Sequence, residues 1–217
     1  SYAEFSNAVV CLKAFTFDFG IIAEDMVKIY KNDSMFEAKI GEANKIIFFE
    51  VGGINHTCIS DENGVAKLEI DLNPGNYTIR TSYANFSTEN NIEVLPTMIA
   101  KDLVKRYGDE SKFYISLIDT AGNPAANASI SMKIDGVSYS RVTDKNGNAS
   151  LDINQKPGQY VLVAVDSLTG LEMSYDVTVL QAKKSTPKIV ANKKTFLTTP
   201  KTKKYTIALK DNAGKAI

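Results

Sequence analysis

The side chains best suited to catalysis lie in one segment, where His56 and Cys58 are separated by a single residue. A thiol beside a histidine could act as nucleophile and base in hydrolysis. In an extended strand the two side chains share one face, but the neighbouring sequence supplies no third group to orient the histidine. His56 is the only histidine of the chain. We therefore predict no catalytic residues and no enzymatic activity.

Two Asp-x-Asn-Gly segments, Asp61–Gly64 and Asp144–Gly147, carry oxygen ligands of the kind that Ca²⁺ prefers. A complete calcium loop needs further ligands, including a bidentate glutamate twelve positions in, and neither segment supplies them. We read both as turns and predict no metal and no cofactor. The Asn-Gly pairs predict type I′ hairpins, in which both central residues have positive φ.

Two tyrosines, Tyr77 and Tyr160, each follow a Pro-Gly pair. Exposed tyrosines could stack on sugars, but a tyrosine just after such a corner resembles a tyrosine corner, whose hydroxyl bonds to the upstream backbone. We therefore predict a structural role for both rings. The residues predicted to shape these turns are Tyr77, Tyr160, Gly64, Gly147, Pro74, Gly75, Pro157 and Gly158.

Six Asn-x-Ser/Thr sequons are candidate acceptors for N-glycosylation. They start at Asn32, Asn55, Asn76, Asn85, Asn127 and Asn148. Because an Asn-rich and Ser/Thr-rich chain produces some sequons by chance, they favour the outside of a cell only weakly.

Two kinds of covalent cross-link can be considered. Cys11 and Cys58 are too few for a disulfide scaffold, and we expect both to be buried free thiols. A Lys-Asn isopeptide bond needs an inward lysine on the first strand, but Lys39 is out of phase with the apolar residues beside it. We expect neither cross-link.

Composition narrows the class of protein. The 217 residues include 25 basic and 25 acidic side chains, and 44% of the residues are hydrophobic. That apolar content supports folded cores, and without a basic patch nucleic acid is not an expected partner. No apolar run is long enough to span a membrane. The chain starts with Ser1 and shows no secretion signal, so we expect a fragment.

An internal repeat organises the chain. The segment 22–30 recurs as 99–107 at an offset of 77, whereas 74–77 recurs as 157–160 at an offset of 83. The second copy carries the additional residues, at 119–124. In this alignment His56 and Cys58 correspond to Tyr139 and Arg141. The repeats therefore share no chemistry at these two positions.

The repeats are predicted to consist of short strands. Ala66, Leu68 and Ile70 alternate with polar residues, which is the pattern of a half-buried strand. We predict an all-β chain of tandem Ig-like (Greek-key) β-sandwiches with almost no helix. The predicted divisions are the tail of a preceding repeat (1–21), a shortened repeat (22–97), a second repeat (98–182), and a linker with the first strand of a following repeat (183–217). Short, semi-stiff linkers are predicted around 95–97 and 181–188.

The paired signatures at 61–77 and 144–160, with the lead-in at 99–107, resemble the Ig-like tandem repeats of adhesin-like surface proteins from methanogenic archaea. The turns alone are also similar to bacterial Ig-like and transthyretin-like modules. The resemblance implies an extracellular, wall-associated protein whose repeats carry no catalytic residues. The shortened first copy and the segment 11–20 depart from the pattern.

These observations predict a non-catalytic stalk or adhesin segment of a cell-surface protein, projecting a distal binding domain. One alternative is a glycan- or protein-binding Ig-like module, and another is the accessory arm of a cell-wall-degrading enzyme. Expected partners are neighbouring repeats of the same chain, with cell-wall or host-surface glycans or proteins as further candidates. The expected location is the cell surface or cell wall.

Overall fold

A computed structural model describes residues 20–183, 188–191, 207–210 and 214–216. Over these residues the chain forms strands and no helix. The first eight strands are β1 Ile22–Ala23, β2 Met26–Ile29, β3 Met35–Lys39, β4 Ile46–Val51, β5 Ile54–Ile59, β6 Val65–Glu69, β7 Gly75–Tyr83 and β8 Phe86–Leu95. The next eight are β9 Met98–Ala100, β10 Leu103–Arg106, β11 Lys112–Leu117, β12 Ser129–Ile134, β13 Val137–Val142, β14 Asn148–Asp152, β15 Gly158–Asp166 and β16 Glu172–Leu180. Two further strands are β17 Lys188–Ala191 and β18 Ile207–Lys210.

The two sets of eight strands have the same topology. Each set forms a small sheet, in the order β1-β3-β6 or β9-β11-β14. Each also forms a five-stranded sheet, in the order β2-β8-β7-β4-β5 or β10-β16-β15-β12-β13. Only β2 and β10 run parallel to their neighbours, β8 and β16. The predicted fold, a tandem of Ig-like all-β sandwiches, is confirmed.

Each sandwich encloses its own core, because inward residues alternate with exposed ones along the strands. In the first core Phe36 and Phe49 pack edge to face with ring centroids 6.0 Å apart. In the second, Phe113 packs against Tyr175 with centroids 5.4 Å apart. The first buried cluster extends from Phe36 to Val94 and the second from Met98 to Val179.

The additional residues of the second copy form a tight loop after β11. This loop is closed by a bridge between Ile118 and Pro124. A similar arrangement recurs at the end of the chain, where β17 pairs with β18 as β9 pairs with β11, and Lys210 bridges Ala216. The pairing supports our expectation of a following repeat, which stays a prediction.

The predicted type I′ hairpins at Asn63-Gly64 and Asn146-Gly147 are wrong. Of each pair only the glycine has positive φ, and the turns connect β5 to β6 and β13 to β14, which lie in opposite sheets. Aspartate side chains account for the difference. The Asp61 carboxylate accepts the N–H groups of Asn63 and Val65, both at 2.9 Å, which stabilises an Asx-type turn.

The hairpins with two positive-φ residues lie elsewhere. Gly52-Gly53 joins β4 to β5, and Asp135-Gly136 joins β12 to β13, with φ between 51° and 77°. These two-residue loops match the right-handed twist of the strands they join.

Gly64 and Gly147 are needed for close approach as well as for backbone conformation. A Cβ atom on Gly64 would lie 2.6 Å from the Glu42 nitrogen, and one on Gly147 would lie 2.4 Å from the Leu117 carbonyl oxygen. Both contacts are with backbone, which cannot rotate away. The glycines let the turn pack against the start of the loop that follows β3 or β11.

We predict that Gly147→Ala destabilises the second sandwich by about 3 kcal/mol or more, since positive-φ strain and a backbone clash act together. Gly136→Ala is the matched control, because Gly136 has φ of 75° with open space around it. Its expected cost is about 1–2 kcal/mol. Urea unfolding measures both, and equal losses would contradict the clash.

Candidate functional site

The repeated lead-in is a crossing of the chain from the small sheet to the large one. β1 pairs with β3 in the small sheet, and two residues after it β2 joins β8 in the large sheet. Asp25 stabilises the crossing by accepting the Asn91 N–H at 2.8 Å, and Asp102 accepts the Asp176 N–H at the same distance. The hydrogen bond from the Asn91 backbone lowers the pKa of Asp25. Each copy of the repeated segment, 22–30 and 99–107, therefore contains two short strands, and an aspartate between them bonds to the last strand of the sandwich.

A buried lysine follows each crossing. Lys28 and Lys105 are 4% and 6% exposed, whereas the valines before them face solvent. The Lys28 ammonium donates to the carbonyls of Ile70 at 2.9 Å and Ser34 at 3.2 Å. The Lys105 ammonium donates to Ile153 at 2.9 Å and Ser111 at 2.8 Å. Each lysine thus joins the large sheet to the chain just before β3 or β11 and just after β6 or β14, in the small sheet.

Burial lowers the pKa of Lys28, because the charged form loses its hydration. The burial of both lysines is not predicted by the sequence pattern, since a polar residue in an alternating segment is expected to face solvent. The repetition of Val-Lys at an offset of 77 was the available signal.

The connector between the sandwiches, residues 96–97, is hydrogen-bonded to the second sandwich. The Thr97 side chain is fully buried, and its hydroxyl donates to the Asp166 carboxylate at 2.7 Å. Thr169 donates to the same oxygen at 2.6 Å. The Thr97 carbonyl accepts the Ile118 N–H at 2.9 Å. Because a buried carboxylate needs such donors, these bonds hold the connector in place.

The loop after β2 also contacts the second sandwich. The Asn32 side chain donates to the Thr120 carbonyl at 2.7 Å, and a Cβ on Gly122 would lie 3.1 Å from the Ile29 side chain. Tyr30 packs against both cores. Thr120 and Gly122 belong to the additional loop of the second copy. The junction is thus a packed interface in addition to the semi-stiff linker that the sequence predicted.

His56 and Cys58 lie on one face of β5, and both are half-buried. Burial raises the pKa of the Cys58 thiol, which disfavours the nucleophilic thiolate. Cys58 was expected to be buried and is instead a half-buried free thiol beside the first core. Cys11 lies outside the described residues.

The turn aspartates bond to the backbone. Asp144 accepts the N–H groups of Asn146 at 2.8 Å and Asn148 at 2.9 Å, and Asp119 does the same for Ala121 and Asn123. Hydrogen bonds from Val65 and Asn123 lower the pKa of Asp61 and Asp119 respectively. In the described part of the chain, no group of three His, Cys, Asp or Glu side chains could hold a metal ion.

The two tyrosines occupy equivalent corners. The Tyr77 hydroxyl donates to the Asn73 carbonyl at 2.8 Å, and the Tyr160 hydroxyl donates to the Lys156 carbonyl at 2.9 Å. Both rings are half-buried. The rings lie over Gly75 and Gly158, where a Cβ would come within 3.5 Å and 3.2 Å of the ring or its hydroxyl. The turn glycines and their tyrosines therefore pack as units.

The sequons differ in accessibility. Asn55, Asn76, Asn85, Asn127 and Asn148 are exposed, whereas Asn32 is half-buried. The Asn32 amide nitrogen that would carry a glycan donates to Thr120 across the junction. Glycosylation of Asn32 would therefore break that contact.

No family model matches the chain, and no curated protein matches it. The chain is similar to solved structures at low identity. These include the I9-I11 tandem from titin (16% identity, 75% of this chain and 66% of that chain, TM-score 0.36). Another is the S-layer protein rSbsC (11% identity, 84% of this chain and 26% of that chain, TM-score 0.29). A third is SGBP-B of the Bacteroides ovatus mixed-linkage glucan utilization locus, in complex with a mixed-linkage heptasaccharide (14% identity, 78% of this chain and 49% of that chain, TM-score 0.28).

The chain spans less than two thirds of the length of each of these three structures. At these identities and TM-scores, the likenesses carry no argument about function. The fold assignment rests on the strand order. Within the described residues no helix is long and apolar enough to cross a membrane.

We predict that Lys28→Met lowers the free energy of unfolding by about 1–3 kcal/mol, since the buried Ile70 carbonyl and the partly buried Ser34 carbonyl lose their donor. Lys39→Met is the control, because Lys39 is exposed on β3, and its effect should stay within about 0.5 kcal/mol. Urea unfolding of both variants measures the difference. A Lys28→Met protein as stable as the parent would show that the two carbonyls do not need the ammonium.

Proposed function

We propose that the chain is a non-catalytic stalk segment of a cell-surface protein, in which stiff Ig-like repeats hold a distal binding domain away from the surface. The packed junction is the observation that carries this proposal. A connector bonded through Thr97, together with the Asn32–Thr120 contact, restricts bending between neighbouring sandwiches. A stalk needs such joints, because free linkers would let the array collapse.

The domain division that we propose is 22–97 and 98–182, with parts of neighbouring repeats on either side. Thr97, the last residue of the first proposed unit, is bonded to the second sandwich. We propose neighbouring repeats of the same chain as the main partners. We propose an extracellular location, which the sequons at exposed asparagines and the resemblance to archaeal adhesin-like repeats support.

The two alternative functions, a binding module and the arm of a wall-degrading enzyme, predict different experimental results. If the chain is a glycan- or protein-binding module, the purified protein should be retained on cell-wall glycans or on a host-surface protein. If it is the arm of a wall-degrading enzyme, a catalytic domain should lie elsewhere in the full protein. For the stalk we expect neither retention nor turnover by this segment.

We predict a narrow distance distribution between spin labels placed at Asn85→Cys and Lys145→Cys, one in each sandwich, with Cys11 and Cys58 replaced by serine. Asn32→Asp should broaden this distribution, since the carboxylate cannot donate to Thr120 but can still accept from Ser34, as Asn32 does. Pulsed electron paramagnetic resonance measures both distributions.

The matched control is Asn76→Asp, at an exposed position on β7. This change adds the same charge away from the junction and should leave the distribution narrow. A broad distribution in the parent protein would contradict the stiff-stalk proposal.

We also predict that an antibody raised against residues 20–183 labels intact cells that make the full protein, because a surface stalk is accessible from outside. Permeabilised cells measure the total amount, and an antibody to a cytoplasmic protein serves as the negative control. Labelling that requires permeabilisation would contradict the surface location.

A further inference from the structure

Strand β5 is an unusual sheet edge. It lies at the end of the large sheet of the first sandwich, and β4 is the only described strand that pairs with it. Its six residues, Ile54–Ile59, include no Lys, Arg, Asp, Glu, Pro or Gly. Proteins usually blunt such edges with charges, proline, bulges or very short strands, because an open edge can pair with another strand.

The other described edges of the two sandwiches have such protection. β1 and β9 are two and three residues long. The other edge strands β2, β6, β10, β13 and β14 each contain at least one charged residue. The counterpart of β5 is β13, where Arg141 occupies the position of Cys58. The Arg141 guanidinium bonds to the carbonyls of Ser150 and Ser140 at 3.2 Å and 2.8 Å, and thus places an inward charge on that edge.

The backbone groups of β5 alternate in direction. The Ser60 N–H donates to the Lys45 carbonyl at 2.9 Å, and bonding alternates along an antiparallel pair. The even-numbered residues 54, 56 and 58 therefore bond to β4, and the N–H and C=O groups of Asn55, Thr57 and Ile59 point to the free edge. No described residue forms a hydrogen bond with these three N–H groups.

The outer face beside this edge is more apolar in the first sandwich than in the second. Ile46, Phe48 and Ile59 are each more than half exposed, and Thr57 lies directly opposite Phe48. The corresponding residues of the second sandwich are Ser129, Ser131 and Val142. The apolar outer surface and the open edge thus occur together in the copy that lacks charge on its edge strand.

We propose that β5 pairs with β5 of a second copy of this chain, antiparallel and centred on Thr57. In this register Thr57 lies opposite Thr57 of the partner chain, and Asn55 lies opposite the partner chain's Ile59. The edge-facing backbone groups of all three residues are then bonded. A shift by two residues would leave some of these groups unpaired.

The properties of β5 favour a second copy over an unrelated strand. Pairing about Thr57 places each edge-facing residue of one copy opposite an edge-facing residue of the other. Two uncharged strands do not repel each other, and the whole chain has zero formal net charge. Opposed threonines are a favourable cross-strand pair. The two Phe48 rings would flank that pair on the outer face, and this pairing would join two copies of the chain through their first sandwiches.

The first test is sedimentation of the unglycosylated 217-residue chain, made in a bacterial host, in reducing buffer from about 10 μM to about 1 mM, the range suited to a small interface. We expect a reversible dimer. Thr57→Pro removes an edge-facing N–H without removing a bond to β4, and edge strands tolerate proline. It should weaken association at least about tenfold.

Ser140→Pro is the matched control, because Ser140 occupies the same position on β13 and should leave association unchanged. Cys58→Arg copies the protection of β13 and should weaken association as Thr57→Pro does. Cooperative urea unfolding of each variant checks that it is folded. A parent chain that stays monomeric at about 1 mM, or a dimer that is insensitive to both β5 substitutions, would overturn the proposal.

Amide hydrogen exchange tests the register. Raising the protein concentration should slow the exchange of the Asn55, Thr57 and Ile59 amides. The amides of residues 54, 56 and 58 already bond to β4 and should change little. Protection of residues elsewhere, with no change at these three amides, would also overturn the proposal.

Discussion

Each sandwich depends on one crossing of the backbone between its two sheets. The chain leaves the small sheet after β1 or β9 and enters the large sheet at β2 or β10, within two residues. The crossing residues Asp25 and Asp102 are themselves exposed, but the strands on either side contribute to the core, where unpaired backbone groups are costly. A repeated aspartate bonds an amide of the last strand, and a repeated lysine bonds carbonyls on the opposite side. The remaining strands can then close around the core.

The lysines show how a charge can stabilise the inside of a small sandwich. Among the described residues, neither ammonium bonds to a carboxylate. Instead, each is held by two main-chain carbonyls at 2.8–3.2 Å. Apolar residues at these positions would leave the carbonyls without donors, and the cost of unpaired buried acceptors explains why a lysine stands in both copies.

The two copies differ in the loop at the junction between them and in the edge strand of the large sheet. The second copy carries the loop that contacts Asn32 of the first, so the additional residues contribute to the junction. The first copy lacks that loop and also lacks an arginine on β5. The second repeat thus has an additional loop that contacts the first repeat, and the first repeat has an uncharged edge strand, β5.

The sequence by itself determined the fold class, because alternation at period two and an offset repeat are local signals that survive without tertiary information. It also predicted turns at the Pro-Gly and Asn-Gly pairs, since proline fixes φ and glycine permits positive φ. It did not determine which strands these turns connect. The Asp61 and Asp144 carboxylates favour a turn between opposite sheets, and the hairpin turns are Gly52-Gly53 and Asp135-Gly136. Tertiary structure alone decided that Lys28 and Lys105 face inward, that Thr97 bonds to Asp166, and that β5 is an edge. These features depend on which strands become neighbours, and residues far apart in sequence set that order.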